Sequence, residues 1–264
     1  MELVAVTGAT GQVGSRVARR LASTGAPMRQ VVGVQYRDGE AMRGALDGAT
    51  TLFLVSGRES ADRVGEHLSA IDAAVAAGVE RIVYLSFVGA TPDTTFTFGR
   101  DHWHTEEYIR ASGLRFTFLR DNFYQSSLAQ FPGEDGVIRG PAGDGRVAAI
   151  GHDDIADVAV AVLGGHEDHD GATYNLTGPE ALTLHEVAEE LRRATGRPIR
   201  YQPETIEEAY ASRAIYRAPD FEVAGWVTSY VAIAVGDLAA VTHDVQRVAG
   251  HRPQSFAEFL TSRK

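Results

Sequence analysis

The sequence predicts an α/β fold: a doubly wound parallel sheet followed by a small C-terminal α/β lobe. Three observations carry that prediction. Short apolar, β-branched runs recur between Glu2 and Leu119 without polar alternation, the mark of strands buried on both faces. Segments with apolar residues at helical spacing separate them. The first run leads directly into a glycine-rich turn, and the turn into the first helix.

Taken in order, Glu2 to Thr7 reads as the first strand, and Val13, Val17 and Leu21 mark one face of the first helix. Arg29 to Val34 reads as a second strand, Glu40 to Leu46 as a short helix, and Thr51 to Val55 as a third strand. Ser60 to Ala77 forms an amphipathic helix whose apolar face is Val64, Leu68, Ile71, Ala74 and Val75. Glu80 to Phe87 is the fourth strand, His102 to Ser112 a helix, and Leu114 to Leu119 the fifth strand. Past Gln130 the composition shifts. Gly133 to Gly145 is rich in Gly, Pro and Asp and reads as a joining loop. Gly151 to Leu163 is a helix with acidic residues in its first turn, where they suit the helix dipole, so Asp153 and Asp154 read as a helix start rather than a catalytic acid pair. Ala172 to Leu176 is a strand, Thr183 and Glu186 form a capping box for a helix over Leu184 to Ala194, and Ile199 to Gln202 is a further short strand. From Ile206 onward the pattern is helical, with Phe221, Trp226 and Tyr230 read as lobe core. Residues 1–132 thus form a core, and 133–264 mostly a lobe, with some elements returning to the core.

Composition narrows the chemistry. A chain of 264 residues with 44% hydrophobic content can bury a full core. A formal net charge of −10 argues against nucleic acid and anionic membrane surfaces as partners. Without cysteine there are no disulfides, thiol nucleophiles or cysteine-ligated metals. With no leader and no apolar stretch of membrane length, a cytoplasmic protein is expected. The sole lysine is Lys264, and Leu260 stands four residues before it, so no Tyr-x-x-x-Lys pair and no phosphate-loop lysine are available.

The turn carries Gly8, Gly11 and Gly14 in a G-x-x-G-x-x-G spacing. Each glycine has a separate task in a dinucleotide site: one turns the chain out of the strand, one lets backbone approach a diphosphate, and one lets helix and strand meet closely. The free N–H groups of the helix start then face the anion. Ligands of such sheets lie beyond the carboxyl ends of the strands, here Thr7–Gly14, Val55–Gly57, Ser86–Ala90 and Arg120–Tyr124.

Several segments carry a resemblance to a known family: VTGATGQVG (Val6 to Gly14), YRDGEAMRGAL (Tyr36 to Leu46), LFLVS (Leu52 to Ser56) and AAVAAGVERIVYLS (Ala73 to Ser86). DHWHTEEYIRASGLRFTFLRDNFYQ (Asp101 to Gln125) and GPAGDGRVA (Gly140 to Ala148) extend it over essentially the whole chain. The sequence resembles the NmrA-like branch of the atypical short-chain dehydrogenases, and within it the type 2 NAD(P)H:quinone oxidoreductases and triphenylmethane reductases. The resemblance implies a Rossmann core, a cleft between core and lobe, NADP as cofactor with NAD as the alternative, and hydride transfer to a small planar electrophile. A homodimer is compatible with it. The rival reading is a redox-sensing regulator that binds the dinucleotide without turning it over; a nucleotide-sugar epimerase is disfavoured by the missing Tyr–Lys pair.

The resemblance assigns Thr10, Gln12 and Val13 to the cofactor beside the three glycines, and Val55 and Ser56 to its adenine-side ribose. Leu85, Ser86 and Phe87 end the fourth strand, Ser86 where this superfamily often has a catalytic Ser or Thr and Phe87 as a wall for the nicotinamide. His102 is expected to bind the nicotinamide end or supply a proton, with Tyr124 as a second proton source. Asn122, Phe123 and Tyr124 follow the fifth strand and are expected at the substrate. His102 and His104 stand at i and i+2, which cannot align two ligands on one helix face, so no metal is expected. One departure stands out. Relatives carry an arginine at the end of the second strand, followed by a helix and another strand. Here Val34 runs directly into Gln35-Tyr36-Arg37-Asp38, as if a piece were absent between Val31 and Tyr36, and Arg29 and Arg37 are poor substitutes for that arginine.

Overall fold

The structure, a computed structural model, describes residues 2–164 and 168–262. In chain order the elements are β1 (Val4–Val6), α1 (Gln12–Ser23), β2 (Met28–Gln30), α2 (Gly39–Ala45), β3 (Thr51–Val55), α3 (Arg63–Ala76), β4 (Arg81–Phe87), α4 (Thr97–Ala111), β5 (Arg115–Asp121), α5 (Gln125–Leu128), β6 (Val137–Gly140) and β7 (Arg146–Val147). There follow α6 (His152–Gly164), β8 (Thr173–Leu176), β9 (Leu182–Thr183), α7 (Leu184–Thr195), β10 (Arg200–Pro203), α8 (Ile206–Arg213), a 3-10 turn at Ala214–Tyr216, α9 (Asp220–Ala234), α10 (Asp244–Ala249) and α11 (Phe256–Thr261).

Six strands form one parallel sheet in the order β2-β1-β3-β4-β5-β8. Side chains of a strand alternate between its faces, and both faces are covered. Val83 and Leu85 of β4 join Val6, Phe53 and Leu119 beneath α1 and α6, while Ile82 and Tyr84 join Leu52, Leu54 and Phe118 beneath α2, α3 and α4. Arg20 of α1 bonds Asp157 and Asp153 of α6, each at 2.7 Å, at the rim of the first layer. A third apolar cluster gathers Phe87, Leu128, Ile138, Val187, Leu191, Tyr201, Tyr230 and Phe256 around α7, α9 and α11. There β6 pairs in parallel with β10, and β7 antiparallel with β9. The later part of the chain returns to the main sheet through α6 and β8.

Four sequence expectations change. The second strand ends at Gln30, and 31–38 forms an irregular, continuous connection to α2 with no further helix or strand. Gly133–Gly145 contains β6, whose Val137 and Ile138 are buried. The buried face of α3 is turned from the expected one: Arg63, His67, Ala70, Ile71 and Ala74 point inward, while Val64 and Leu68 are half-buried and Val75 is exposed. His102 lies inside α4 rather than at its start, which is Thr97. The capping box is present as read, with Thr183 Oγ1 accepting from the Glu186 N–H and Glu186 Oε2 accepting from the Thr183 N–H. Lys264 lies outside the described residues. Among the described residues no helix is long and apolar enough to cross a membrane.

Candidate dinucleotide cleft

A cleft of about 1190 Å³ opens at the carboxyl ends of β1, β2 and β3. Its floor is the glycine turn, with Gly8, Thr10, Gly11, Gln12, Val13 and Gly14 all lining it. Gly8 has φ +58°, in the left-handed region where a side chain is strained. At Gly14 a Cβ would stand 2.5 Å from Gly8 C and 2.7 Å from Thr7 O, so α1 touches the strand end backbone to backbone. Gly11 caps α1 without a side-chain bond, and no acidic residue occupies the first turn. The first-turn N–H groups therefore lack helical acceptors and face no competing carboxylate from their own helix. Such a cradle fits a diphosphate.

Val55, Ser56 and Gly57 form the next wall. A polar network holds it. Thr7 Oγ1 donates to Phe53 O at 3.2 Å and accepts from the Val55 N–H at 2.9 Å. The Tyr36 hydroxyl, 2.7 Å from Thr7 Oγ1, donates to Val55 O at 2.6 Å. His67 Nε2 accepts from the Gly57 N–H at 2.8 Å, which places its proton on Nδ1, facing Thr105 Oγ1 at 2.8 Å. Burial, and secondarily the Arg63 charge, holds the imidazole down to about 3, so it stays neutral. The 31–37 connection forms the outer wall, and Arg16, Arg37 and Arg58 bring cations to the lining.

The nicotinamide-side expectations fare differently. His102 does not line the cleft. It is 5% exposed, with Nδ1 2.9 Å from the Tyr84 hydroxyl and Nε2 3.3 Å from Arg63 Nη2. A guanidinium can only donate, so Nε2 is an acceptor; burial first and Arg63 second push the imidazole well below its ordinary range. That geometry lends no support to its expected role as proton source or nicotinamide contact: the imidazole is neutral and buried between α3, β4 and α4. Ser86 is likewise buried on the α4 side, donating to Glu106 Oε1 at 2.6 Å, where Arg120 also binds that carboxylate. Leu85 is core. Phe87 stands in an aromatic group with Phe96 and Phe123, at ring separations of 5.2 and 5.8 Å. Asn122 is buried, its Nδ2 donating to Leu238 O at 3.0 Å and its Oδ1 accepting from the Phe123 N–H at 2.7 Å, which ties the segment after α9 to the end of β5. His104 is exposed, and no group of three or more metal-ligating side chains occurs among the described residues.

Tyr124 does line the cleft, with Ser126, Ser127, His152 and Gln254. Its hydroxyl donates to Asp121 Oδ2 at 2.8 Å, and its ring lies 4.4 Å from that of His152. Sequence reasoning missed Tyr36, Arg63 and His67, and took in Thr7 and Asp121 only as members of the strand-end stretches, with no role of their own. The available signal was a polar residue at the carboxyl end of a buried strand, true of both Thr7 and Asp121.

A parallel doubly wound sheet with a glycine cradle at the start of its first helix, beyond the carboxyl ends of the strands, defines the class of dinucleotide-binding α/β proteins. Residues 29–223 match the NmrA-like family, and the chain belongs to it. It is 33% identical to an NAD(P)H azoreductase of Xenophilus azovorans over 97% of this chain and 96% of the relative. The NADPH-dependent quinone oxidoreductase of Escherichia coli, solved with NADPH, superposes with a TM-score of 0.85 at 30% identity, covering 98% of this chain and 99% of that one. The triphenylmethane reductase of Citrobacter sp., solved with NADP(H), gives 0.81 at 26% identity and covers 100% of both chains.

Proposed function

We propose that the chain is an NAD(P)H-dependent reductase that passes hydride to a planar electrophile of the quinone or azo-dye kind. The diphosphate lies over the first turn of α1, the adenine half runs along Val55–Gly57 toward Arg37 and Arg58, and the nicotinamide reaches Tyr124 and the Phe87–Phe123 group. Residues 133–264 supply the substrate side. The observation that carries the reading is the cradle at Gly8–Gly14, open to the cleft and free of carboxylates in the first helical turn. Family membership and the printed activities of the relatives support it.

The cofactor supplies hydride at a nicotinamide carbon; the protein's part is to orient it, exclude water and manage one proton. Quinone reduction places negative charge on oxygen, which a modest acid can quench, so the absent Tyr–Lys pair is no obstacle. Arg37 and Arg58 favour NADPH, because a 2′-phosphate is the added anion and no carboxylate stands at the end of β2. The test is titration with NADPH and NADH followed by turnover against a quinone and azo-dye panel. Loss of nicotinamide absorbance with acceptor is expected, and Gly11→Asp should abolish binding while the far-ultraviolet spectrum is kept. Tight binding without turnover would identify a sensor; no binding of either dinucleotide would remove both readings.

A further inference from the structure

Asp121 is the last residue of β5, at the strand end that borders the cleft, and is 3% exposed. The side chain hydrogen-bonded to its carboxyl is Tyr124, at 2.8 Å. We propose, building on the reductase reading, that Asp121 and Tyr124 form a proton-delivering pair in which the protonation state of Asp121 decides whether the Tyr124 phenol offers its hydrogen to the cleft. With Asp121 ionised, the carboxylate accepts the phenolic hydrogen and holds it away from substrate. With Asp121 protonated, its own hydroxyl donates to the phenol oxygen across the same heavy-atom distance, and the phenol hydrogen is released toward the cleft.

The step balances. Hydride delivers two electrons and one hydrogen to the acceptor, leaving an oxygen anion. The Tyr124 O–H bond breaks as the substrate O–H bond forms; the phenolate then takes the carboxylic proton of Asp121, and the carboxylate is reprotonated from water. The net requirement is one solvent proton per hydride. Asp121 touches neither substrate nor cofactor in this scheme and is a positioning residue, whereas Tyr124 is catalytic.

The surroundings fit. Burial is the main cause that lifts Asp121 to about 8, against weaker opposing effects of the Tyr124 hydrogen bond and the Arg63 charge. Tyr124 is held well above its ordinary range, chiefly by burial and then by Asp121, so it serves as a donor rather than a standing phenolate. The charges that act on the pair are those of Arg63 from α3 and Glu59 from the loop before it, and the ring of His152 from α6 packs on Tyr124. His102, the more conspicuous acid in the sequence, is excluded by its guanidinium neighbour.

Two measurements decide the matter. The first is kcat against pH from 6 to 10 (a window of roughly two units either side of the expected midpoint) for the native chain, Asp121→Asn and Tyr124→Phe. The native rate should fall about tenfold per unit above roughly pH 8, while Asp121→Asn should be slower by about tenfold or more at neutral pH and lose that limb. Tyr124→Phe should be slow at every pH. The second uses the protein without cofactor: the stability that Asp121 contributes should be lost as pH rises from about 4 to about 8 and level off above it, so the native urea midpoint should fall relative to that of Asp121→Asn across that window. An alkaline limb retained in Asp121→Asn, or a Tyr124→Phe enzyme of native rate, overturns the pair. So does an unchanged pH dependence of stability. Failure of the reductase reading is a separate result: a native chain that oxidises neither dinucleotide while the stability comparison still comes out as expected.

Discussion

Replacing Gly14 by alanine tests the contact that seats the cradle. Alanine gains about 1 kcal/mol over glycine in a helix interior. At Gly14, however, the new Cβ would stand 2.5 Å from Gly8 C and 2.7 Å from Thr7 O, closer still to Gly8 O, where ordinary contact begins near 3.4 Å. All three neighbours are backbone atoms of a strand end and its turn, so no side chain can swing aside. The helix start must instead move outward by about 1 Å, against Val13, Val17 and Leu21, which are buried under α6. Overpacking of this kind costs typically 1–3 kcal/mol; against unyielding backbone the upper figure applies, which leaves a net loss of about 2 kcal/mol after the helical gain. The displaced N–H groups should also weaken NADPH binding at least tenfold, or about 1.4 kcal/mol. Urea unfolding and fluorescence titration read the two effects. Gly44→Ala is the internal control: it lies in α2 with nothing within 4 Å of the new Cβ, and should stabilise by about 0.5–1 kcal/mol without touching binding. A Gly14→Ala protein as stable as the Gly44→Ala protein, or one with native affinity, would refute the close-approach argument.

Other outcomes follow from the same geometry. Asn122→Ala leaves the Leu238 carbonyl and the Phe123 N–H without their side-chain partner, and should lower stability by about 2–4 kcal/mol with little change in dinucleotide affinity. His67 and His102 are neutral in the folded chain with lowered values, so the unfolded chain binds more protons below about pH 6.5, and stability should fall as pH drops from there toward about 3. His67→Gln and His102→Gln should each flatten that slope in urea melts. Arg37→Ala with Arg58→Ala should raise the Kd for NADPH by about tenfold while sparing NADH, read by parallel titrations; equal losses for both would remove these arginines from 2′-phosphate recognition.

How much of this was legible in the residues varies by element. Thr51–Val55 was bounded as observed because a run apolar at every position leaves no choice of face. The glycine turn was legible because its spacing lies between a strand and a helix. β6 was hidden because two apolar residues, Val137 and Ile138, sit among punctuation and gain their partner only from β10, far along the chain. The face of α3 was misread for a related reason: pattern reasoning assigns Arg63 and His67 to water, whereas they are inward, with Gly57 and Thr105 bonding to them and Asp101 balancing the Arg63 charge. His102 drew attention as the type of residue that titrates near neutrality, yet titration depends on neighbours, and a guanidinium at 3.3 Å is invisible in sequence. Asp121, inside the stretch Arg120–Tyr124, was given no role because a carboxylate after a strand usually belongs to a turn.

The bare stretch between β2 and α2 sets how the adenine end of the cleft is bounded. A full crossover unit would wall that end with a helix and a strand; seven residues, Val31 to Arg37, do so here. A nucleotide resting there would be bordered by rope rather than by masonry. Its hold at that end would rest on Arg37 and Arg58, so added salt should weaken its binding.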